Sequence, residues 1–385
     1  GMTHRNVYGM NQGGNSEEEQ GLTDAKLFES IVSEDYAGGL VFSWQDEWFK
    51  RTWNTMDYDN PNRRPFWSND QTNEQQFGLL SFDPGEKLKI KVDGNVDDWK
   101  EAETKPLYKS NNEKENLQSF SMTSDEKYLY FRLDYNKMSA ERLEKEKTML
   151  VFDTINGQGS KQLSKNPELN VSSGIDYILN LAGTNQSRLT VHSYYDSFYY
   201  QYGEQLNLID KEKNASEKDS YVFHPIRLAL NKELTIPSQN RTLPFDSYET
   251  GLLTYGNGNP QSEKYNSLSD FIVKDNSIEV RLPWAILNMK DPSQKEIMGD
   301  MWKNGLHSTR EIDNIQVGIV TYEGKSTESK ISISSIVDTV PAMENDQLPV
   351  DQFYQYSWKK WNEPYYHERL KQSYYIMQDE FSRYK

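Results

Sequence analysis

The segment Tyr-Leu-Tyr-Phe-Arg-Leu at residues 128–133 consists mainly of the aromatic and aliphatic residues that favour β-strands. A second segment of this kind, Met-Leu-Val-Phe, occupies residues 149–152. Such short runs between polar residues are typical of strands, whereas helices usually extend over about ten residues or more. The two segments therefore predict two β-strands.

Similar segments recur on both sides of these two. Leu88, Ile90 and Val92 alternate with lysines and precede a turn at Asp93-Gly94. Further candidate strands lie at residues 175–181, 189–195, 221–223, 271–273, 278–282, 315–322 and 331–337. About ten short strands without long helices between them predict an antiparallel, immunoglobulin-like β-sandwich. The polar stretches are predicted to be loops, one or two of them helical; they comprise residues 136–147, 158–170, 203–220 and 256–266.

The N-terminal part of the chain has a different character. Ser16 and Glu19 have the capping-box spacing, which predicts the start of a helix. Residues 40–44 are predicted to form a short buried strand after this helix, which gives a small α/β unit. Residues 51–82 are rich in aromatic side chains and predict an ordered loop, and Asp83-Pro84-Gly85 predicts a turn at a domain boundary.

The last part of the chain predicts a helix. Its apolar residues recur at spacings of three or four along one face: Tyr366, Leu370, Tyr374, Met377 and Phe381. Pro364 would lie in the first turn of this helix. The predicted organisation is thus an α/β segment at residues 1–84, a β-sandwich at residues 85–345, and a helical segment at residues 346–385 that packs on the sandwich.

The composition excludes several classes of function. Lys and Arg total 43 and Asp and Glu total 59, which gives a net charge of −16. This balance argues against nucleic acid as a partner and disfavours anionic membranes. No apolar run is long enough to span a bilayer. The absence of cysteine excludes disulfides and cysteine–zinc sites but does not determine the compartment. An extracellular or cell-surface location is the favoured expectation.

Three short motifs resemble family 9 carbohydrate-binding modules and their DOMON-like relatives. They are Asp93–Trp99 (Asp-Gly-Asn-Val-Asp-Asp-Trp), Asp125 followed by Tyr128–Tyr130, and Glu279–Trp284 (Glu-Val-Arg-Leu-Pro-Trp). Their order and spacing match that family across roughly residues 86–340. The resemblance implies a DOMON-like β-sandwich with a first strand and turn, a central strand, and a late strand that leads into a short helical turn.

The N-terminal segment resembles the end of a glycoside-hydrolase (β/α)8 barrel. Ser16–Gln20 is similar to a helix start common there, and Gly38–Trp48 is similar to the last barrel strand, whose terminal Trp commonly forms the floor of a sugar subsite. The stretch from Trp358 to Lys371 fits the close of the same large bacterial multidomain architecture. The catalytic glutamates of such barrels lie at the ends of strands four and seven, and the resemblance begins after strand seven. We therefore expect no catalytic residue in this chain and no enzymatic activity of the chain alone.

Asp46 and Glu47 are the most prominent acidic pair. Adjacent residues of a strand point to opposite faces, so these two carboxylates are not expected to flank one glycosidic bond. A structural ion pair, with one of them bound to Lys50 or Arg51, is the favoured interpretation, and a sugar contact is the alternative. Trp44 next to them is predicted either to stack on a sugar or to pack against the sandwich or a partner chain.

The densest aromatic cluster, Tyr-Tyr-Asp-Ser-Phe-Tyr-Tyr, spans residues 194–200. Tyrosine and tryptophan rings can stack on the faces of sugars, which makes such a cluster a candidate carbohydrate platform. The candidate platform residues are Tyr194, Tyr195, Tyr199, Tyr255 and Trp302. Packing of these rings across a sheet is the alternative interpretation.

The loop from Asp153 to Gly159 contains oxygen ligands and turn glycines that suit a hard cation. Asp153 and Asn156 are its candidate ligands, with Ca²⁺ as a possible cofactor; a plain turn is the alternative, because the spacing is not that of an EF-hand. The 5 histidines form no spaced pair, so the sequence gives no support for a zinc site.

The leading hypothesis is a non-catalytic carbohydrate-binding module that forms the C-terminal part of a larger protein related to glycoside hydrolases. A second hypothesis is that residues 1–84 complete a barrel together with an upstream or partner chain. A third is that the sandwich is purely structural. Under the first two, an incomplete barrel would expose apolar surface, which predicts either association with another chain, including a second copy, or coverage by residues 51–82 and the tail.

Overall fold

The computed structural model describes residues 13–87, 89–165, 168–327 and 331–384. Its strands are β1 (Leu80–Pro84), β2 (Tyr108–Lys109), β3 (Leu117–Ser124), β4 (Tyr128–Tyr135), β5 (Glu146–Asp153), β6 (Ser160–Lys165), β7 (Glu168–Ile175), β8 (Tyr177–Leu181), β9 (Arg188–His192), β10 (Phe223–Pro225), β11 (Arg227–Asn231), β12 (Leu234–Ile236), β13 (Arg241–Leu243), β14 (Asp246–Glu249), β15 (Phe271–Lys274), β16 (Ser277–Pro283), β17 (Met289–Asp291), β18 (Glu296–Met298), β19 (Thr309–Glu311), β20 (Ile315–Ser326), β21 (Ile331–Val340), β22 (Gln347–Leu348), β23 (Tyr354–Tyr356) and β24 (Tyr366–Leu370). Its α-helices are α1 (Glu17–Ser33), α2 (Asp97–Glu101), α3 (Ala140–Lys145), α4 (Ser197–Tyr199), α5 (Met301–Asn304) and α6 (Gln372–Ser382).

Two antiparallel sheets dominate the structure. The larger one has the strand order β10-β9-β8-β5-β20-β21, and β23 also pairs with β20. The second has the order β15-β16-β4-β3-β2. The strands of both sheets pair antiparallel, which confirms the predicted mainly-β, antiparallel, sandwich-like class.

Side chains of the two sheets join in one hydrophobic core. Leu129, Phe131 and Leu133 of β4 belong to this core, because alternate residues of a strand point to the same face. The Phe131 ring lies 5.7 Å from the ring of Phe152 in β5, which belongs to the other sheet. Tyr130 points to the opposite face of β4 and belongs to a smaller cluster. The segment at residues 128–133 is thus a central strand, buried on both faces.

A third layer covers the outer face of the larger sheet. It is a small sheet with the order β22-β7-β6, in which β22 runs parallel to β7. Leu169 and Val171 of β7 pack with Met149 and Val151 of β5 in a second hydrophobic cluster. Burial on both faces explains why β5 is a nearly continuous apolar run in the sequence.

The first and last parts of the chain are held together. The capping box predicted at Ser16 is confirmed, since its Oγ accepts the Glu19 N–H and Glu19 Oε2 accepts the Ser16 N–H. Helix α1 packs on α6, with the rings of Phe28 and Phe381 4.8 Å apart. Strands β1 and β24 pair antiparallel, so the segment before Asp83 is tied to the tail.

The buried strand predicted at residues 40–44 is wrong. This stretch forms no strand, and Leu40, Phe42 and Trp44 are 100%, 74% and 56% exposed. The Ser43 N–H donates to the Phe77 carbonyl, in an irregular stretch that leaves these apolar side chains in contact with solvent. An apolar run signals burial only when another layer covers it.

The helix predicted from Tyr366 onward starts later than expected. Residues 366–370 form β24, and α6 begins at Gln372, so Pro364 lies outside the helix. The two-residue alternation of a strand explains this difference, since Arg369 and Lys371 both reach buried carboxylates. The apolar spacing of three and four was compatible with a helix but was not decisive.

Several predicted loops and strands also differ. The stretch 158–170 contains β6 and the start of β7, and 136–147 contains α3 and the start of β5. No regular strand forms at residues 89–92, although Ile90 and Val92 are buried; Leu88 lies outside the described residues. Polar edge strands lack the apolar signal on which the prediction depended.

Candidate functional site

Three of the predicted platform residues come together at one end of the larger sheet. Tyr194 and Tyr195 lie in a 3-10 turn directly after β9, and Trp302 is on α5. The rings of Tyr194 and Trp302 are 6.1 Å apart, and those of Tyr194 and Tyr195 are 5.4 Å apart. The Trp302 indole N–H donates to the Tyr194 carbonyl at 2.9 Å, which fixes the indole plane.

A fourth ring, Tyr200, completes this cluster. It follows α4 in a π-helical turn at Tyr200–Gln205 and lies 5.1 Å from the Trp302 ring, edge to face. Tyr200 and Trp302 are half-buried, whereas Tyr194 and Tyr195 are buried. The sequence analysis did not single out Tyr200, although it belongs to the run at residues 194–200. We call Tyr194, Tyr200 and Trp302 the aromatic platform.

Charged groups border the aromatic platform. The Tyr194 hydroxyl donates to Asp300 Oδ1 at 2.5 Å, and Lys218 Nζ lies 3.3 Å from Asp300 Oδ2. The Lys218 ammonium also lies 5.3 Å from the centre of the Tyr194 ring. Burial opposes ionisation of Asp300, but the hydrogen bonds from Tyr194 and Lys218 outweigh it and lower the pKa of this carboxyl. A carboxylate and an ammonium, paired with each other, therefore lie beside the platform.

The other two predicted platform residues lie elsewhere. Tyr199 is buried and donates its hydroxyl to Glu204 at 2.9 Å. Tyr255 packs on Phe271, with the rings 5.3 Å apart, and takes part in the packing of the sandwich. The sequence could not distinguish them from Tyr194, because neither aromatic character nor position in the chain shows which way a side chain points.

A histidine fixes the loop that carries Lys218. His224 Nδ1 lies 2.9 Å from Asp196 Oδ2, and His224 Nε2 lies 2.8 Å from Glu212 Oε2. Burial lowers the pKa of this imidazole, but the contacts with Asp196 and Glu212 outweigh the loss of solvation and raise it. Asp196 also caps α4 by accepting the Tyr199 N–H. Through these contacts His224 links the loop at Glu212 to Asp196, which caps the helix before Tyr200.

The acidic pair near the N-terminus is used in ion pairs. Glu47 lies 2.7 Å from Lys50, the pairing favoured by the sequence. Asp46 is buried and pairs with Lys371. Burial raises the pKa of Asp46 to about 6, although Lys371 acts to lower it. Trp44 is exposed and contacts Tyr374 edge to face at 6.0 Å, far along the chain from the aromatic platform.

A polar cavity of about 60 Å³ lies where α1, β24 and the sandwich meet. Arg369 binds two carboxylates there, with Nη2 2.7 Å from Glu17 Oε1 and Nε 2.5 Å from Asp83 Oδ2. On the sandwich side, Arg281 lies 4.8 Å from the centre of the Tyr128 ring. These contacts join the two ends of the chain to β4 and β16.

The motif residues that carry the family resemblance contact each other inside the sandwich. Glu279 accepts the Trp99 indole N–H at 2.8 Å and the Gly94 N–H at 2.7 Å, and it pairs with Arg132. Burial raises the pKa of Glu279 to about 7, although Arg132 opposes the shift. Trp284 is fully buried. These motif residues have structural roles, and none lies at the aromatic platform.

The predicted metal loop is partly buried. Asp153 is 2% exposed, whereas Asn156 is exposed. Burial raises the pKa of Asp153 to about 7 and raises that of Asp176 well above its ordinary value. Within the described ranges, no group of three or more His, Asp or Glu side chains is arranged to hold a metal ion. Asp176 was not identified from the sequence, because it lies outside the loop motif.

A comparison of the chain with models of known protein families gives no match, and a search of curated proteins also gives none. The similarity to family 9 carbohydrate-binding modules and to the end of a glycoside-hydrolase barrel therefore stays a hypothesis. None of the helices in the described part of the chain is both long and apolar enough to cross a membrane.

Proposed function

We propose that this protein is a non-catalytic carbohydrate-binding protein and that the aromatic platform is its binding surface. The single observation that carries the proposal is the half-buried Trp302 ring, held by its indole N–H and flanked by Tyr194 and Tyr200. Such a ring offers an apolar face for the C–H groups of a sugar, and it is already fixed in place before binding.

Polar groups beside the rings would supply the directional part of binding. Asp300 can accept hydrogen bonds from sugar hydroxyls, and Lys218 can donate to them. Both are attached to the platform, Asp300 through the Tyr194 hydroxyl and Lys218 through Asp300. An apolar ring face with a few fixed polar groups is the usual composition of a small-ligand site.

The ion pairing of the acidic pair supports the non-catalytic part of the proposal. Asp46 is bound to Lys371, and Glu47 is bound to Lys50. Retaining and inverting glycosidases need two carboxyl groups on either side of one bond, and ion pairing leaves neither of these side chains in that role.

The test is a glycan array followed by calorimetry on the glycans that bind. We expect Trp302→Ala to weaken binding at least about thirtyfold, because loss of a central Trp in a binding surface typically costs about 2 kcal/mol or more. Trp44→Ala, which removes an exposed Trp from the N-terminal segment, is the matched control and should bind like the wild type.

Two results would contradict the proposal: no glycan bound by the wild type, or unchanged affinity in Trp302→Ala. Loss of binding in Trp44→Ala alone would instead indicate that the sugar site lies in the N-terminal segment. Thermal unfolding of each variant must show that it is folded, since the Trp302 ring packs on Tyr194.

A second proposal is that the N-terminal segment associates with another polypeptide. The observation that favours it is the exposure of Tyr36, Leu40, Phe42 and Trp44, which lie within nine residues of one another along the chain. Exposed apolar side chains that are grouped in one segment favour contact with another protein. Among the described residues, the Phe77 ring contacts Phe42 and the Tyr374 ring contacts Trp44, whereas Leu40 is 100% exposed.

Light scattering over a range of protein concentrations tests this second proposal in its simplest form, association of two copies. We expect the wild type to self-associate and Leu40→Ser/Phe42→Ser to remain monomeric. A wild type that stays monomeric at the highest concentration would exclude a second copy as the partner.

A further inference from the structure

Four positively charged side chains line the polar cavity of about 60 Å³ where α1, β24 and the sandwich meet: Lys127, Arg281, Arg369 and Lys371. Carboxylates bind three of them. The pairs are Arg369 with Glu17 and Asp83, Lys371 with Asp46, and Lys127 with Asp70. Arg281 is the fourth cation, and none of the described carboxylates lies within ion-pair distance of it.

The guanidinium of Arg281 uses little of its hydrogen-bonding capacity. An arginine side chain has five N–H donors. Among the described residues, the hydrogen bond that these donors make is from Nη2 to the Ser267 carbonyl, at 2.9 Å. Nε is buried and has no hydrogen-bond partner, and the Tyr128 ring packs against the group with its centre 4.8 Å away. Asp270 acts on Arg281 electrostatically without forming an ion pair. A buried donor without an acceptor is costly, so an acceptor at this position would be stabilising.

The carboxylate of Glu17 in the same cavity is, by contrast, saturated. Its Oε1 accepts from Arg369 Nη2 at 2.7 Å and from the Tyr265 hydroxyl at 3.2 Å. Its Oε2 accepts from Arg369 Nη1 at 3.0 Å and from the Gln372 N–H at 3.1 Å. The hydrogen-bonding capacity left in the cavity is therefore that of the Arg281 donors, which favours a ligand with acceptor oxygens.

Size and charge narrow the class of ligand. A water molecule needs roughly 10–15 Å³ of such space, so the cavity has room for about four to six atoms of this size. Because the carboxylates around the cavity already balance its other cations, a singly charged anion fits better than a doubly charged one. A planar carboxylate also matches the planar guanidinium, and Leu268 and Pro260 in the lining offer apolar contacts to a short carbon chain.

We propose that this cavity binds a small monocarboxylate, with its carboxylate group on the Arg281 guanidinium. The ligand would lie between β16, which carries Arg281, and the elements α1, β1 and β24, which carry Glu17, Asp83 and Arg369. Binding would therefore stabilise the packing of the two ends of the chain on the sandwich. This proposal does not depend on carbohydrate binding.

The experiment uses the full chain and sodium acetate as the probe. Thermal unfolding is followed in acetate, chloride and phosphate at equal ionic strength and at about pH 8, where acetate is ionised. We expect acetate to raise Tm by about 3 °C more than chloride when it is present at one hundred times its Kd. Calorimetry should give one acetate bound per chain.

Arg281→Gln should abolish the part of the rise in Tm that is specific to acetate. Arg241→Gln, at an exposed position, is the matched control and should respond like the wild type. General effects of each salt on stability remain in Arg281→Gln, so the difference between this variant and the wild type isolates binding at the cavity. Phosphate should raise Tm equally in the two proteins.

Three results would overturn the proposal. Equal effects of acetate on the wild type and on Arg281→Gln would place the anion elsewhere. A rise with phosphate that is lost in Arg281→Gln would mean that the cavity takes a different class of anion. A wild type that acetate stabilises no more than chloride would exclude the site, and this result is available even if Arg281→Gln fails to fold.

Discussion

Lys371→Met is expected to lower the free energy of unfolding by about 3–5 kcal/mol, the usual cost of removing one partner of a buried ion pair. The Lys371 side chain is 1% exposed, and its ammonium lies 2.5 Å from Asp46 Oδ1 and 2.9 Å from the Gly78 carbonyl. Its backbone N–H also bonds to the Leu79 carbonyl. Methionine fills a similar volume but leaves Asp46 without a cation.

The pH dependence of this loss has a definite sign. Burial already raises the pKa of Asp46 to about 6, and removal of Lys371 raises it further. Below that pKa the carboxyl group is protonated and needs no cation, so the destabilisation should be smaller at about pH 5 than at about pH 8. Urea unfolding of both proteins at the two pH values measures the difference.

A double variant supplies the control for this ion pair. Asp46→Asn keeps the side-chain oxygen that accepts the Gly78 N–H but removes the charge. Lys371→Met/Asp46→Asn should therefore be more stable than Lys371→Met alone at about pH 8. If Lys371→Met costs less than about 1 kcal/mol, or if the double variant is the less stable of the two, the pair does not hold the ends of the chain together.

The sandwich could be predicted from the sequence because its central strands carry their own signal. Segments such as 128–133 and 278–282 are apolar on the side that faces the core, and β5, which is buried on both faces, is apolar almost throughout. Composition and spacing are enough to recognise such strands. Their pairing order, with β20 between β5 and β21, depends on contacts far apart in the sequence and was not predictable from local patterns.

The ends of the chain were harder to predict, since their structure depends on each other. The strand at Tyr366–Leu370 exists because β1 pairs with it and because Arg369 meets Glu17 and Asp83. The sequence around residue 366 gives no indication that Arg369 will contact Glu17. In the same way, the exposure of Leu40 depends on which distant segments pack near it in the fold. A run of apolar residues does not show whether another segment will cover it.

The candidate site was predicted in part. The run at residues 194–200 contributed Tyr194 and Tyr200 to the aromatic platform. The Tyr199 side chain in the same run instead donates its hydroxyl to Glu204. Asp153 was found because glycines and oxygen ligands follow it, and Asp176, whose pKa Asp153 helps to raise, was missed because it lies outside that loop. Side chains that come together only because distant segments pack against each other cannot be recognised from the sequence alone.

Trp284→Ala should cost about 3–5 kcal/mol of unfolding free energy, as is typical for removal of a large aromatic ring from a core. The Trp284 ring is 0% exposed and lies 4.7 Å from the ring of Trp358, which connects the sandwich to the tail. The indole N–H donates to the Asp125 carbonyl at 2.8 Å, so the variant also leaves a buried acceptor without its donor.

Two further variants separate the contributions to this loss. Trp284→Phe retains most of the ring but not the N–H, so its stability should lie between those of the wild type and Trp284→Ala. Phe49→Ala removes a ring that is 60% exposed and should change stability by no more than about 0.5 kcal/mol. Guanidinium unfolding ranks all four proteins. Equal losses for Trp284→Ala and Phe49→Ala would mean that Trp284 does not belong to the core between the two sheets, because a ring on the surface has no cavity to leave behind.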